Sequence, residues 1–215
     1  MSRKCSGWPY PIAREYQKAL AKLKMVWRRL VLKNIRYSSD YERLDAFYAV
    51  PDPWGMTSQS EQFRFRETNR LILEKIGQQG SILEVGCGEG HQSLHLEHVC
   101  ERLTGLDVSA RAVSRARNRC PKSQFFVGDI FSHEVTALVP FDLVVACEVV
   151  YYMSDVPAAL EQMRALGRNC LITYFSGELE NLDRQVLTSC PGTLSEMIEF
   201  ENGKWRVMWW NSCQT

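Results

Sequence analysis

The 215-residue sequence predicts an α/β fold: a doubly wound, mostly parallel sheet, with an antiparallel hairpin at its C-terminal edge and a helical appendage at its N-terminus. Three observations lead there. From Ser81 onward, short apolar runs alternate with helical periodicities, the pattern of parallel strands joined by right-handed helical crossovers. The first apolar run ends in a glycine loop, ILEVGCGEG at 82–90. The tail EMIEFENGKWRVMWW at 196–210 alternates around Asn202-Gly203, a hairpin signature.

In chain order, residues 12–36 carry Tyr16, Leu20, Leu23, Trp27, Leu30 and Val31 at three- and four-residue steps, which reads as one amphipathic helix. Its other face holds Arg14, Lys18, Lys22, Lys24, Arg28, Arg29, Lys33 and Arg36 against the single acid Glu15. That face is either the solvated side of a packed lid or a contact for a membrane surface or an anionic partner. Residues 37–57 read as a connecting loop because YAVPDPWGM places two prolines and a glycine together. A second helix is expected from Ser58, where SQSE forms a capping box, and Gly77 and Gly80 bracket its end. Strands are then expected at 81–87, 102–109, 123–130, 141–149 and 169–175, with helices at 91–100, 110–120, 155–166 and 178–190. The division is therefore an N-terminal helical or lid segment, 1–57, and a main domain, 58–215. Alternation puts Trp205 and Trp209 on one face of the last strand and Trp210 on the other, one face being core.

Composition narrows the function. Hydrophobic residues make up 45% of the chain, enough to build a core. The net charge of +1 excludes a strongly basic nucleic-acid binder. The N-terminus MSRKCSGWPYP lacks the apolar stretch of a secretory signal, so the cytoplasm is the expected compartment. Cys5, Cys87, Cys100, Cys120, Cys147, Cys170, Cys190 and Cys213 are scattered, without a CxxC pair, and read as reduced thiols. His91, His95 and His98 have helical spacing but no HExxH context, so no metal is expected.

Gly86, Gly88 and Gly90 fall at alternate positions directly after a strand. Glycine lets the chain turn sharply there and lets a ligand approach the backbone without meeting a Cβ. A nicotinamide-binding loop would read GxGxxG; here the third position after Gly88 is His91, and Glu84 precedes the loop. A dinucleotide brings a pyrophosphate to such a turn, whereas S-adenosylmethionine has no phosphate and carries a cationic amino group and sulfonium. An acid on the first strand suits the second ligand. Asp107 ends the second strand, where a carboxylate accepts from ribose hydroxyls. Asp129 ends the third, where it can accept from the adenine amine, with Val108 and Ile130 on the two faces of the ring. Taken singly, each Asp has a plainer reading as a turn or helix-cap residue; the ordered set is specific.

EVGCGEG, GLDVS, VGDI and FDLVVACEVVYYM resemble the successive motifs of the class I S-adenosylmethionine-dependent methyltransferases, over residues 58 to about 210. The resemblance implies a Rossmann-like, seven-stranded sheet whose last strand is antiparallel. FYAVPDPWG, the Ser-x-x-Glu helix start, the glycine loop and EVVYYM are similar, more narrowly, to the nodulation N-methyltransferase (NodS-like) group, which methylates the amino group of a glucosamine unit. QSEQFRFRE departs from the aromatic-rich pattern expected after DPWG. A small-molecule acceptor, an amino sugar or other saccharide, is implied.

On this reading Glu84, Gly86, Cys87, Gly88, Gly90, Asp107, Val108, Asp129, Ile130 and Cys147 hold the cofactor, and Tyr48, Trp54 and Ser58 lie in the segment folding over it. Glu148, Tyr151 and Tyr152 face the acceptor. One tyrosine is expected to pack and the other to act, with Tyr151 favoured. Arg66 is expected on a solvated helix face. Two alternatives stay open. A nucleic-acid (RNA) methyltransferase would use the basic helix, although ACEVVYY lacks the [DNS]PP[YF] motif of base-amine enzymes. A non-catalytic cofactor-binding partner protein would keep the same glycine and acidic motifs.

Overall fold

The computed structural model describes residues 26, 27 and 30–212. The chain divides after Asn34 into two compact units. In the first, Val26, Trp27, Leu30 and Val31 are helical, inside the expected 12–36 pattern; residues 12–25, 28 and 29 lie outside the described residues. The helix does not continue to residue 36. A turn follows Val31, and Asn34 sits at φ +57°, the left-handed conformation that commonly ends a helix.

The second unit is built on a seven-stranded sheet. Its strands are β1 (Gln79–Val85), β2 (Cys100–Asp107), β3 (Gln124–Val127), β4 (Phe141–Cys147), β5 (Gly167–Phe175), β6 (Leu194–Phe200) and β7 (Gly203–Asn211). Their order is β3-β2-β1-β4-β5-β7-β6. The first five are parallel, and β7 runs antiparallel to both β5 and β6. This is the Rossmann-like class I methyltransferase sheet with the expected antiparallel hairpin.

The helices are α1 (Tyr41–Phe47), α2 (Gln59–Lys75), α3 (Ser93–Leu96), α4 (Ala110–Arg119), α5 (His133–Thr136), α6 (Val156–Leu166) and α7 (Leu179–Ser189). Both faces of the central strands are buried, so their sequences are continuous apolar runs rather than alternations. In β4, Leu143 and Val145 join a core with Leu71 and Ile72 of α2 and Leu96 of α3. Val144 and Ala146 join the opposite core with Leu160 of α6 and Val186 of α7.

Four details differ from the sequence reading. Residues 37–57 are not all loop, because α1 forms inside them. The Asp40 side chain accepts from the Arg43 N–H, and Leu44 and Phe47 are buried; the prolines and glycine act only beyond that helix. The 91–100 helix shrinks to the single turn of α3. The hairpin turn lies one residue earlier, at Glu201-Asn202, with Gly203 already paired to Phe200. A Cβ on Gly203 would collide with the Trp205 ring, so that glycine serves packing within the strand. Trp205 and Trp209 do lie opposite Trp210, but both faces are core. Among the described residues no helix is long and apolar enough to cross a membrane.

Gly105 pairs with Glu84 on one side and Phe125 on the other. A Cβ there would collide with the Phe125 ring and lie 3.1 Å from the Cys87 Cβ. Gly105→Ala is therefore expected to destabilise the protein by about 1–3 kcal/mol through overpacking, measured by urea denaturation. A midpoint equal to wild type would show that Phe125 can move aside freely.

Candidate active site

The strand order reverses between β1 and β4, which leaves a crevice beyond their carboxyl ends. A cavity opens there, walled by the turn after β1, the ends of β2, β3 and β4, the face of α2, and the covering segment from Tyr41 to Met56.

The turn after β1 forms its floor. The Gly86 and Cys87 N–H groups donate to the Leu106 carbonyl at 2.7 and 3.0 Å. The Gly88 N–H donates to Asp107 Oδ2 at 2.8 Å, and the Ser109 N–H to Asp107 Oδ1 at 2.9 Å. Gly86 has φ +73°, and a Cβ on it would lie 2.5 Å from Val149. No other residue suits that position.

Of the twelve residues expected at the cofactor, ten line this cavity: Trp54, Glu84, Gly86, Cys87, Gly88, Asp107, Val108, Asp129, Ile130 and Cys147. Two do not. Gly90 turns away toward α4, where a Cβ would lie 3.1 Å from the Ala116 Cα; its small size serves helix–loop packing. Ser58 is exposed, and its hydroxyl accepts from the Glu61 N–H at 3.5 Å, so it caps α2. Glu148, Tyr151 and Tyr152 all reach the cavity. Tyr151 is buried with its hydroxyl donating to Glu148 Oε2 at 3.1 Å. Tyr152 stacks at a tilt on Trp54, ring centroids 5.5 Å apart. Tyr151 also belongs to the core on the α6 side of the sheet, and Tyr152 packs against it.

The family model for Nodulation protein S (NodS) matches residues 39–179. The chain belongs to the NodS family. It is 36% identical over 129 residues to Nodulation protein S of Sinorhizobium fredii, a match covering 58% of each chain. It is 31% identical over 124 residues to a malonyl-[acyl-carrier protein] O-methyltransferase of Yersinia pestis, covering 54% of this chain and 46% of that one. The chain thus spans less than two thirds of the length of these curated relatives. The crystal structure of N-methyltransferase NodS from Bradyrhizobium japonicum, in complex with S-adenosyl-L-homocysteine, superposes with TM-score 0.65 at 23% identity. It covers 81% of this chain and 98% of that one, which shows the shared fold.

Within this NodS-family cavity, the sequence reading overlooked several groups. Among the described residues Arg64 of α2 is the buried guanidinium. Its Nε donates to Glu61 Oε2 at 2.8 Å and its Nη1 to Gln92 Oε1 at 2.9 Å. Arg66 is exposed beside the Phe63 ring, as expected for a solvated face. Two residues along a helix is about 200°, so only one of the pair can point inward. Among the described residues Gln92 Nε2 is buried without a hydrogen-bond partner, while His91 Nε2 lies 3.5 Å from Glu89 Oε2, and both residues line the cavity. Tyr41 donates to Asp129 Oδ2 at 3.3 Å; the buried Tyr48, expected in the covering segment, packs over the glycine turn. The Asp52 N–H donates to Glu89 Oε2 at 2.9 Å, tying the cover to the loop. The overlooked residues carry no motif; the path of the covering segment brings Tyr41 and Asp52 here, the buried face of α2 brings Arg64, and the loop after the glycine turn brings His91 and Gln92.

Burial sets the electrostatics. Glu84 is 2% exposed, and desolvation lifts its carboxyl to about 8 despite a hydrogen bond from the Ser93 hydroxyl. Burial likewise raises Asp107 to about 6, against the two backbone N–H groups that favour its charge. Glu148 is raised too, mainly by burial and against the opposing pull of Arg64. Groups whose folded pKa lies above the unfolded value bind protons more tightly when folded, so stability falls as pH rises through that window. For Glu84 the window runs from 4.5 to about 8. The ligand-free protein is expected to lose Tm steadily across it, and Glu84→Gln to flatten the decline. Scanning calorimetry from pH 5 to 8.5 checks this, and equal slopes for the two proteins would refute it.

Proposed function

We propose that the chain is an S-adenosylmethionine-dependent methyltransferase acting on the amine of an amino sugar or related saccharide. The observation that carries this is the gathering of Glu84, Asp107, Asp129 and Glu148, from the ends of β1, β2, β3 and β4, around one glycine turn. The residues suit the cofactor. Glu84 and the neighbouring main chain meet its amino group, and Arg64 with the unpartnered Gln92 Nε2 meets its carboxylate. Asp107 accepts from the ribose hydroxyls, while Asp129, Val108 and Ile130 hold the adenine. Bound there, S-adenosylmethionine supplies a methyl carbon on a sulfonium.

The chain's own contribution is alignment and exclusion of water. Trp54 and Tyr152 form an aromatic wall, suited to a sugar ring and to a cation. The cover from Tyr41 to Met56 closes the crevice, so the working unit includes residues before Ser58. An amine is favoured over a carboxyl acceptor by the charge of the lining. Asp52, Glu84, Glu89, Asp107, Asp129 and Glu148 face the cavity, while Arg64, held by Glu61 and Gln92, is assigned to the cofactor carboxylate and not to the acceptor. A cationic or neutral amine enters such a site more readily than the carboxylate of a malonyl group.

Titration calorimetry tests the cofactor assignment: S-adenosylhomocysteine should bind, and Asp107→Ala should weaken it roughly 10- to 100-fold, the worth of hydrogen bonds to a charged group. Unchanged affinity would remove Asp107 from the site. A methyl-transfer panel of glucosamine oligosaccharides, simple amines, a malonyl thioester and RNA then tests the acceptor. Turnover confined to the thioester or to RNA would overturn the amino-sugar reading.

A further inference from the structure

Glu148 is held in an uncommon way. Its backbone adopts φ +58° at the end of β4, a left-handed conformation disfavoured for a glutamate and found where surrounding structure imposes it. The Glu148 N–H donates to the Thr173 carbonyl at 2.9 Å. Both carboxylate oxygens are then taken by hydroxyls: Thr173 Oγ1 donates to Oε1 at 3.0 Å and Tyr151 to Oε2 at 3.1 Å. Thr173 lies on β5, paired with Cys147 and fully buried. It does not line the cavity. Its hydroxyl therefore meets the acceptor only through Glu148.

We propose that Glu148 is the proton acceptor for an amine that arrives as an ammonium ion, and that Thr173 is the residue positioning its carboxylate. This rests on the amine-methyltransferase reading above. The step is a proton transfer: an N–H bond of the ammonium breaks, its electron pair stays on nitrogen, and an O–H bond forms on Glu148. The proton then leaves to water through the open side of the cavity. A carboxylate with two hydroxyl donors keeps lone pairs free on both oxygens, so it can receive that proton without releasing either support.

The neighbours fit this role. Arg64 and Glu61 of α2, the Cys147 thiol before it and the Tyr151 phenol act on the Glu148 carboxyl. Arg64 draws it down, while burial and Glu61 push it up, for a net rise above 4.5. That moves the carboxyl toward the pH range in which a base both exists charged and accepts a proton readily. The phenol is a poor rival, because burial and Glu148 raise Tyr151 well above 10.

Infrared titration of the ligand-free protein tests the relation independently of turnover. The Glu148 band, identified by its loss in Glu148→Gln, should titrate above 4.5. Thr173→Val removes a donor to the charged form and should shift that midpoint up by roughly one pH unit, and Thr173→Ser should restore it. In turnover with an amine acceptor, Glu148→Gln should lower kcat roughly 100-fold or more while retaining S-adenosylhomocysteine affinity. Thr173→Val should move the acidic limb of the pH–rate profile in the same direction as the infrared midpoint. Wild-type kcat in Glu148→Gln, or an unmoved midpoint and limb in a folded Thr173→Val, would overturn the proposal. If the midpoint shifts as expected but no amine is methylated, the acceptor reading fails and the hold of Thr173 on Glu148 stands.

Discussion

Three hydrogen bonds join the turn after β1 to the end of β2, and the cavity takes its shape from them. The Leu106 carbonyl holds the Gly86 and Cys87 N–H groups, and the Asp107 carboxylate holds that of Gly88. Because β1 sits between β2 and β4 in the sheet, this contact fixes the loop at the point where neighbouring crossovers diverge. Asp107 acts twice, fastening the glycine turn while presenting its remaining lone pairs to the cavity. Gly86 must be glycine for the same reason: a side chain there would meet Val149, two residues past the end of β4.

That arrangement leaves the site electrostatically unsettled. Glu84, Asp107 and Glu148 are all raised by burial, and Arg64 is the buried guanidinium among them. A carboxylate taken from water without a matching cation is unfavourable, so an empty cavity of this kind favours protonation. A cationic ligand removes the mismatch by its own charge.

The cover is held in place by polar contacts at both ends. The Tyr37 and Ser39 N–H groups donate to the Tyr151 and Tyr152 carbonyls at 2.9 and 3.0 Å. Arg36 and Tyr37 meet the buried Glu178 at the start of α7, and Asp52 meets Glu89 on the glycine loop. Tyr37, Ser39 and Asp52 all have positive φ, so the path of the cover is imposed by its partners. Trp54 then contacts both Phe47 of α1 and Tyr152, joining the cover to the segment after β4.

The sequence by itself determined the sheet, the glycine turn and the acids at the strand ends. These follow from local signals: apolar runs of strand length, glycines at alternate positions, and a charged residue just where each run stops. It also determined that Glu148, Tyr151 and Tyr152 follow the fourth strand into the cavity. Only the tertiary structure decided that Arg64 rather than Arg66 is buried, because the helix face depends on the rotation of α2 against the sheet. Only it separated Gly90 and Ser58 from the site, since a glycine needed for packing and one needed for a ligand look alike in sequence, and a helix cap resembles a binding hydroxyl. Thr173 was invisible for the same reason. Its contact with Glu148 spans two neighbouring strands whose register is set by pairing across the sheet, at a separation no local pattern records.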